Sequence, residues 1–246
     1  MQTSIYEGPL FAYFYAVLAS IFIVIWMALY FLIPRARLAM FWTSLLCAPA
    51  GPISEYWHIV DYWHPTYLVD IAIGRWRFGL EDFLSAFAVA GISTALFESL
   101  ALRRGWAELP RISFRTLLRI TLRGGVCLSL MALLASGFGM NSIYAIILSM
   151  AISSLLMLFG RWEVLLLSIP TAVTLAFLLY LAYTVLFIFI FPRGIETFWN
   201  LEVTWGIRLT GIPIEELLWA FVTGLFAGPI FRVCSGKESA GFLTGV

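Results

Sequence analysis

The sequence predicts an all-α, polytopic membrane protein of about seven transmembrane helices, N-terminus outside and C-terminus inside. Three observations carry this expectation: the composition, the number of apolar runs, and the placement of basic residues between them. Of 246 residues, 62% are hydrophobic, 17% aromatic and 12% charged, and the mean hydropathy is +0.95. A soluble domain carries about 25% charged residues. Chain that crosses a bilayer must satisfy its backbone polar groups internally, which favours helices. The net charge of +1 lacks the basic excess of a nucleic-acid binder. Cys47, Cys127 and Cys234 are odd in number, far apart and without a CxxC, so they read as apolar fillers inside helices.

The spans follow in order. Span 1 covers 10–33 and stops at Pro34-Arg35-Ala36-Arg37; it is too long, and lacks the basic leader, for a cleavable signal peptide. Span 2, 38–53, is short and meets a polar cluster at Ser54-Glu55. Span 3 covers 80–100, span 4 covers 121–138 with Gly124-Gly125 near its start, and span 5 covers 142–159. Span 6, 164–191, carries Pro170, and span 7 covers 212–233. The whole of 1–246 reads as one multi-pass membrane domain, in the plasma or inner membrane if the cell is prokaryotic.

With the N-terminus outside, the inner segments hold Arg35, Arg37, Arg103, Arg104, Arg111, Arg115, Arg119, Arg123, Arg161, Arg232 and Lys237, or 11 of 15 basic residues. The outer ones hold Arg75, Arg77, Arg193 and Arg208. That is the positive-inside bias. The acids run the other way: Glu7, Glu55, Asp61, Asp70, Glu81, Asp82, Glu196, Glu202, Glu215 and Glu216, 10 of 14, fall outside. Acids contribute little to topology, so this asymmetry points to a site.

Residues 78–87 (FGLEDFLSAF) lie over 212–221 (IPIEELLWAF) at an offset of 134. Each copy is an acidic pair, then a span, then a basic flank, and each follows a loop rich in tryptophan and acid. The chain is therefore expected to hold repeat 1 (1–102, spans 1–3), a linking span 4 (103–140) and repeat 2 (141–235, spans 5–7), two parallel three-helix units sharing a site at their interface.

Glu81, Asp82, Glu215 and Glu216 open spans, where carboxylates are either helix-start capping or functional groups. Neighbours on a helix point about 100° apart, so one acid of each pair faces a site and the other pairs with Arg208, Arg75, Arg77 or backbone. Two carboxylates brought together in a dry cleft differ in pKa, and one can stay protonated and serve as the acid that protonates an alkene. Tyr56, Trp57, Tyr62 and Trp63 read as an interfacial aromatic belt or as a wall whose π faces steady a cation. Glu55-x-x-His58 and Asp61-x-x-His64 have metal-ligand spacing, but both copies sit in one short segment, where hydrogen bonding is the stronger explanation. No metal or cofactor is expected. There is no GxGxxG, P-loop, HExxH, GxSxG or DDxxD pattern, and Ala220 stands where a Glu-Glu-x-x-x-Arg protease motif needs arginine. The sole lysine, Lys237, lies outside every span, which excludes a retinal Schiff base.

Residues 204–219 (TWGIRLTGIPIEELLW) resemble the membrane lycopene cyclases of the heterodimeric type, whose two repeats each carry Pro-x-Glu-Glu at a helix start. Repeat 1 has Gly79-Leu80-Glu81-Asp82 instead, keeping charge but not the proline. The resemblance implies a β-cyclase-like isomerisation of an apolar polyene such as lycopene, taken from membrane lipid, with no redox change. It implies Glu215 or Glu216 as the acid and Glu81, Asp82 or Glu55 as base or counter-anion. Trp57, Trp63, Trp199 and Trp205 would bind the substrate and shield the cation, with Pro213 and Arg208 of the motif as further substrate-binding residues. A homo-oligomer is compatible with it. Competing readings are a hydratase using the same cation, a carotenoid- or polyprenoid-binding or transport protein with non-catalytic acids, and a metal-dependent oxidoreductase using Glu55, His58, Asp61 and His64.

Overall fold

The computed structural model describes residues 9–106 and 112–236. Glu7, Arg111 and Lys237, which enter the charge count above, lie outside the described residues. A 3-10 turn, Pro9–Tyr13, leads into α1 (Phe14–Leu32), which ends just before Pro34. Proline disfavours helical dihedrals in the residue before it, and Ile33 has ψ 71. A turn then enters α2 (Arg37–Cys47) and α3 (Ala50–Asp61). Ala48 and Pro49 keep helical dihedrals, so α3 continues α2 past a break.

Here the structure departs from the sequence reading. The second span does not stop at 53, and 54–61 are helix rather than loop. Hydropathy falls there because Glu55 and His58 face the protein interior, where both are buried. The helix persists although its apolar run does not.

An antiparallel hairpin of β1 (Ile71–Ile73) and β2 (Trp76–Phe78) delivers the chain into α4 (Leu80–Arg103). A second hairpin, β3 (Arg208–Leu209) with β4 (Ile212–Pro213), delivers it into the last described helix. Its two turn residues, Thr210 (φ 49) and Gly211 (φ 91), both have positive φ, as a tight two-residue hairpin turn requires. Between the hairpins come α5 (Phe114–Ala132), α6 (Ser142–Leu158), α7 (Trp162–Val185) and the short α8 (Gly194–Phe198); α9 (Ile214–Ser235) follows the second. α5 and α7 each end in a π turn, Leu133–Gly137 and Leu186–Ile190. Side-chain caps start two of these helices. Ser113 Oγ accepts the Thr116 N–H at 3.1 Å, and Asn141 Oδ1 accepts the Ile143 N–H at 3.2 Å.

The described residues are nearly all α-helical, and five helices are long and apolar enough to cross a membrane: Leu10–Leu32, Leu80–Arg103, Phe114–Gly137, Trp162–Ile190 and Ile214–Ser235. The expected fifth span, α6, has 17 residues, and the second is the broken pair α2–α3. α4 and α9 are the most buried of the five and pack on each other. α4 also packs on α1 and α2, and α9 on α6 and α7. Gly224 and Gly228 on α9 give the small-xxx-small spacing that lets helices approach closely in lipid. A Cβ on Gly224 would lie 2.5 Å from Ala172 Cα of α7.

Candidate active site

The two acidic pairs divide in the same way. Glu81 Oε1 accepts the backbone N–H of Leu68 at 2.8 Å, and Glu215 Oε1 accepts that of Trp205 at 2.6 Å and the Tyr144 hydroxyl at 3.0 Å. Both are buried, and each ties the loop before its own hairpin to its own helix. One residue further on, the helix turns Asp82 and Glu216 toward a shared cavity of about 120 Å³. Glu55 of α3 lines the same cavity, with His58, Tyr62, Trp63, Trp199 and, from α1 and α7, Tyr15 and Tyr183. Its lining holds three carboxylates and no lysine or arginine.

The arginines that could have paired with these acids lie elsewhere. Arg77 pairs with Asp70, Arg75 sits 4.1 Å over the Tyr56 ring, and Arg208 is exposed on β3. Arg232, counted above as an inner flank, is buried inside the bundle against Glu98.

Glu216 is held by three donors. Tyr62 (2.7 Å) and Trp199 Nε1 (2.8 Å) donate to Oε1, and Tyr183 (2.9 Å) donates to Oε2. Burial, and then the Glu216 charge, push the Tyr62 phenol above its ordinary range, so it stays a donor. Glu55 receives Trp63 Nε1 at 3.1 and 3.2 Å and the Tyr67 hydroxyl at 3.3 Å. Asp82 Oδ2 accepts the Gly79 N–H at 2.7 Å at the start of α4. Tyr15 and Tyr67 face Asp82, yet its buried Oδ1 closes no hydrogen bond among the described residues.

Two features bring these acids together from distant parts of the chain. α3 is pressed against α4 at Gly51, where a Cβ would lie 2.1 Å from the Asp82 carbonyl oxygen. Only glycine permits that approach, and it sets Ser54 and Glu55, one turn later, beside Asp82 in the cavity wall. Trp63 and Trp199 form an antiparallel bridge, with His64 N–H donating to Phe198 O and Asn200 N–H to Tyr62 O, both at 2.7 Å. Their rings lie 5.3 Å apart.

Apart from His58, which lines the cavity, the remaining residues singled out from sequence sit outside its lining. Trp57 donates to Ser136 Oγ at 2.8 Å, and Trp205 is exposed and stacks on Tyr144. Pro213 is buried in β4, immediately before α9. His58 shares a 2.8 Å hydrogen bond with Ser142 Oγ; Asp61 accepts the Ser142 N–H at 2.9 Å, and His64 is exposed. Among the described residues no group of three or more His, Cys, Asp and Glu is placed to hold a metal ion. Sequence reasoning named Ser54 only as part of a polar cluster and Trp219 only as the end of a motif, and did not single out Tyr15, Tyr183 or Ser85. A lone tyrosine in an apolar span is the one signal it offered, since a buried phenol needs a partner.

Comparison with known families finds a match over residues 141–234 to the family described as lycopene cyclase. The matched segment runs from the start of α6 to near the end of α9 and contains Tyr183, Trp199 and Glu216. No curated protein and no solved structure matches the chain. The resemblance read from residues 204–219 is thus found again over a longer stretch, and it is to the lycopene cyclases.

Proposed function

We propose, from the premise of that lycopene cyclase match over residues 141–234, that the chain is a membrane carotenoid end-group cyclase. It would take an apolar polyene such as lycopene from the bilayer and form a β-type ring without cofactor or redox change. Seven passes, with the N-terminus outside, agree with the basic-residue bias if α2–α3 and α6 each complete a crossing. Two repeats joined by α5 agree with the paired hairpins and with the matching division of the two acidic pairs.

The observation that carries the reading is the cavity: three carboxylates, no cation, and walls of tryptophan and tyrosine. Protonation of the terminal double bond creates a tertiary carbocation. Attack by the neighbouring double bond closes the ring, and loss of a proton restores neutrality. A carboxyl in place to deliver the proton contributes typically 10²–10⁴-fold, and fixed negative charge with aromatic faces lowers the energy of the cation. Trp63 and Trp199 would keep water from capturing it.

The test is expression in a bacterial host that accumulates lycopene, with pigments analysed by chromatography and mass spectrometry. A new pigment of unchanged mass and shorter-wavelength absorption is expected. Unchanged lycopene, with the protein present in the membrane, would overturn lycopene as the substrate, and a gain of one water would mark a hydratase.

A further inference from the structure

The three cavity carboxylates are not equivalent. Glu216 has both oxygens occupied, by Tyr62 and Trp199 on one and Tyr183 on the other. Trp199 can only donate, and a shell of three donors suits an anion. Asp82 is the opposite case. Its Oδ2 is satisfied by the Gly79 N–H, while its buried Oδ1 accepts no hydrogen bond from the described residues. A buried carboxylate oxygen without a donor is costly as an anion. As a neutral carboxyl, the same oxygen can carry an O–H with no acceptor among the described residues, free to be taken up by the π bond of a substrate in the cavity. Glu55, which lines the same cavity, has donors from Trp63 and Tyr67.

We propose that two of the cavity carboxyls divide the reaction: Asp82 delivers the proton that starts cyclisation, and Glu216 faces the cation and removes the proton that ends it. Tyr62, Tyr183 and Trp199 are then positioning residues for Glu216. In the first step the Asp82 O–H bond breaks, and the π pair of the terminal alkene forms a new C–H bond, leaving a tertiary cation. The neighbouring π pair closes the C–C bond and moves the charge into the ring. Glu216 takes a proton from a carbon next to that charge, and the C–H pair becomes the ring double bond. One proton enters the substrate and one leaves it, no electrons are exchanged, and proton exchange with solvent between turnovers returns Asp82 to the acid and Glu216 to the anion. This assignment rests on the cyclase reading above.

The base, not the acid, decides which C–H is broken, so it decides which ring isomer forms. The experiment supplies lycopene to membranes holding the full chain and measures both the rate and the ratio of ring isomers. Tyr183→Phe removes a hydrogen bond to a charged group and is expected to slow turnover about tenfold and to shift the isomer ratio. Glu216→Asp, which moves the carboxylate, should shift the ratio further. Asp82→Glu is expected to slow turnover and leave the ratio as in the wild type. A ratio that moves with Asp82→Glu and holds with Glu216→Asp and Tyr183→Phe would overturn the assignment.

A second measurement covers variants that make no product. In D2O, Glu216→Gln can still protonate the alkene and lose the proton again, so recovered lycopene should gain deuterium. Asp82→Asn should return it unlabelled. The reverse pattern would overturn the proposal. If the wild-type chain forms no ring at all, the cyclase reading fails first, which separates the two failures.

Discussion

Glu98 on α4 and Arg232 on α9, 134 residues apart, form an ion pair closed to solvent, with Arg232 Nε 3.1 and 3.2 Å from the two carboxylate oxygens. The separation equals the offset between Glu81 and Glu215, which open the same two helices. The Trp106 ring lies 5.3 Å from the guanidinium carbon. Thr94, one turn before Glu98, donates to Ala227 O at 3.0 Å across the same interface. Breaking a buried pair by removing one partner costs about 3–5 kcal/mol. Arg232→Met is therefore expected to lower the unfolding midpoint and the yield of inserted protein. Glu98→Met with Arg232→Met should recover most of the loss, as read by thermal unfolding in detergent.

Glu215 and Glu216 are neighbours with different surroundings, and they should respond differently to the same change. Glu215 accepts from Trp205 N–H and Tyr144, which an amide oxygen can also do. Glu215→Gln is expected to lower turnover less than about tenfold, the worth of one strong hydrogen bond. Glu216→Gln removes a charge facing the cavity and should cost about 100-fold or more, a typical loss when an electrostatic stabiliser is removed. Pigment conversion per unit of inserted protein checks both. Equal losses would count against the division of the acidic pairs.

Gly51 has no room for a side chain, since its Cβ would meet the Asp82 carbonyl. Gly51→Ala should push α3 away from α4 and carry Glu55 away from Asp82. A cost of about 1–3 kcal/mol is expected from overpacking, together with a loss of activity larger than that of a distant variant of equal stability. Unfolding and turnover measured on the same preparation separate the two effects.

Tyr62 and Tyr67 lie in the loop after α3, and burial pushes both phenols above the usual 10.0. A group with a raised folded pKa keeps its full contribution below the unfolded value and loses it as pH rises beyond it. Stability is thus expected to fall from about pH 10 upward. Tyr62→Phe should flatten that fall, as melting temperatures across this range would show.

The apolar runs were legible because hydropathy averages over many residues, and the acid pairs because charge is rare in such a chain. Local reversals were not. Residues 54–61 looked like loop because their polar side chains face inward, and a hydropathy window cannot tell inward from outward. The hairpins, two or three residues per strand, are too short to leave a period. Trp57 and Trp205 resemble Trp63 and Trp199 in sequence, yet only the second pair lines the cavity, and the choice is made by a backbone bridge between loops far apart in the chain. Tyr15 and Tyr183 were hidden as single polar atoms in apolar spans. Glu98 and Arg232 carried no local sign that they meet.

The pairing of Glu98 with Arg232 also sets a schedule. Synthesis at about 5–20 residues per second puts roughly 7–27 s between the two, over the 134 residues that separate them. For that interval α4 waits beside the insertion machinery with a carboxyl group whose cation has not been made, and a lone acid in lipid is costly. α4 is therefore expected to remain loosely held, or shielded by the insertion apparatus, until α9 arrives. A nascent chain stalled before residue 232 should be cleared by membrane quality control faster than one stalled just after it has been inserted.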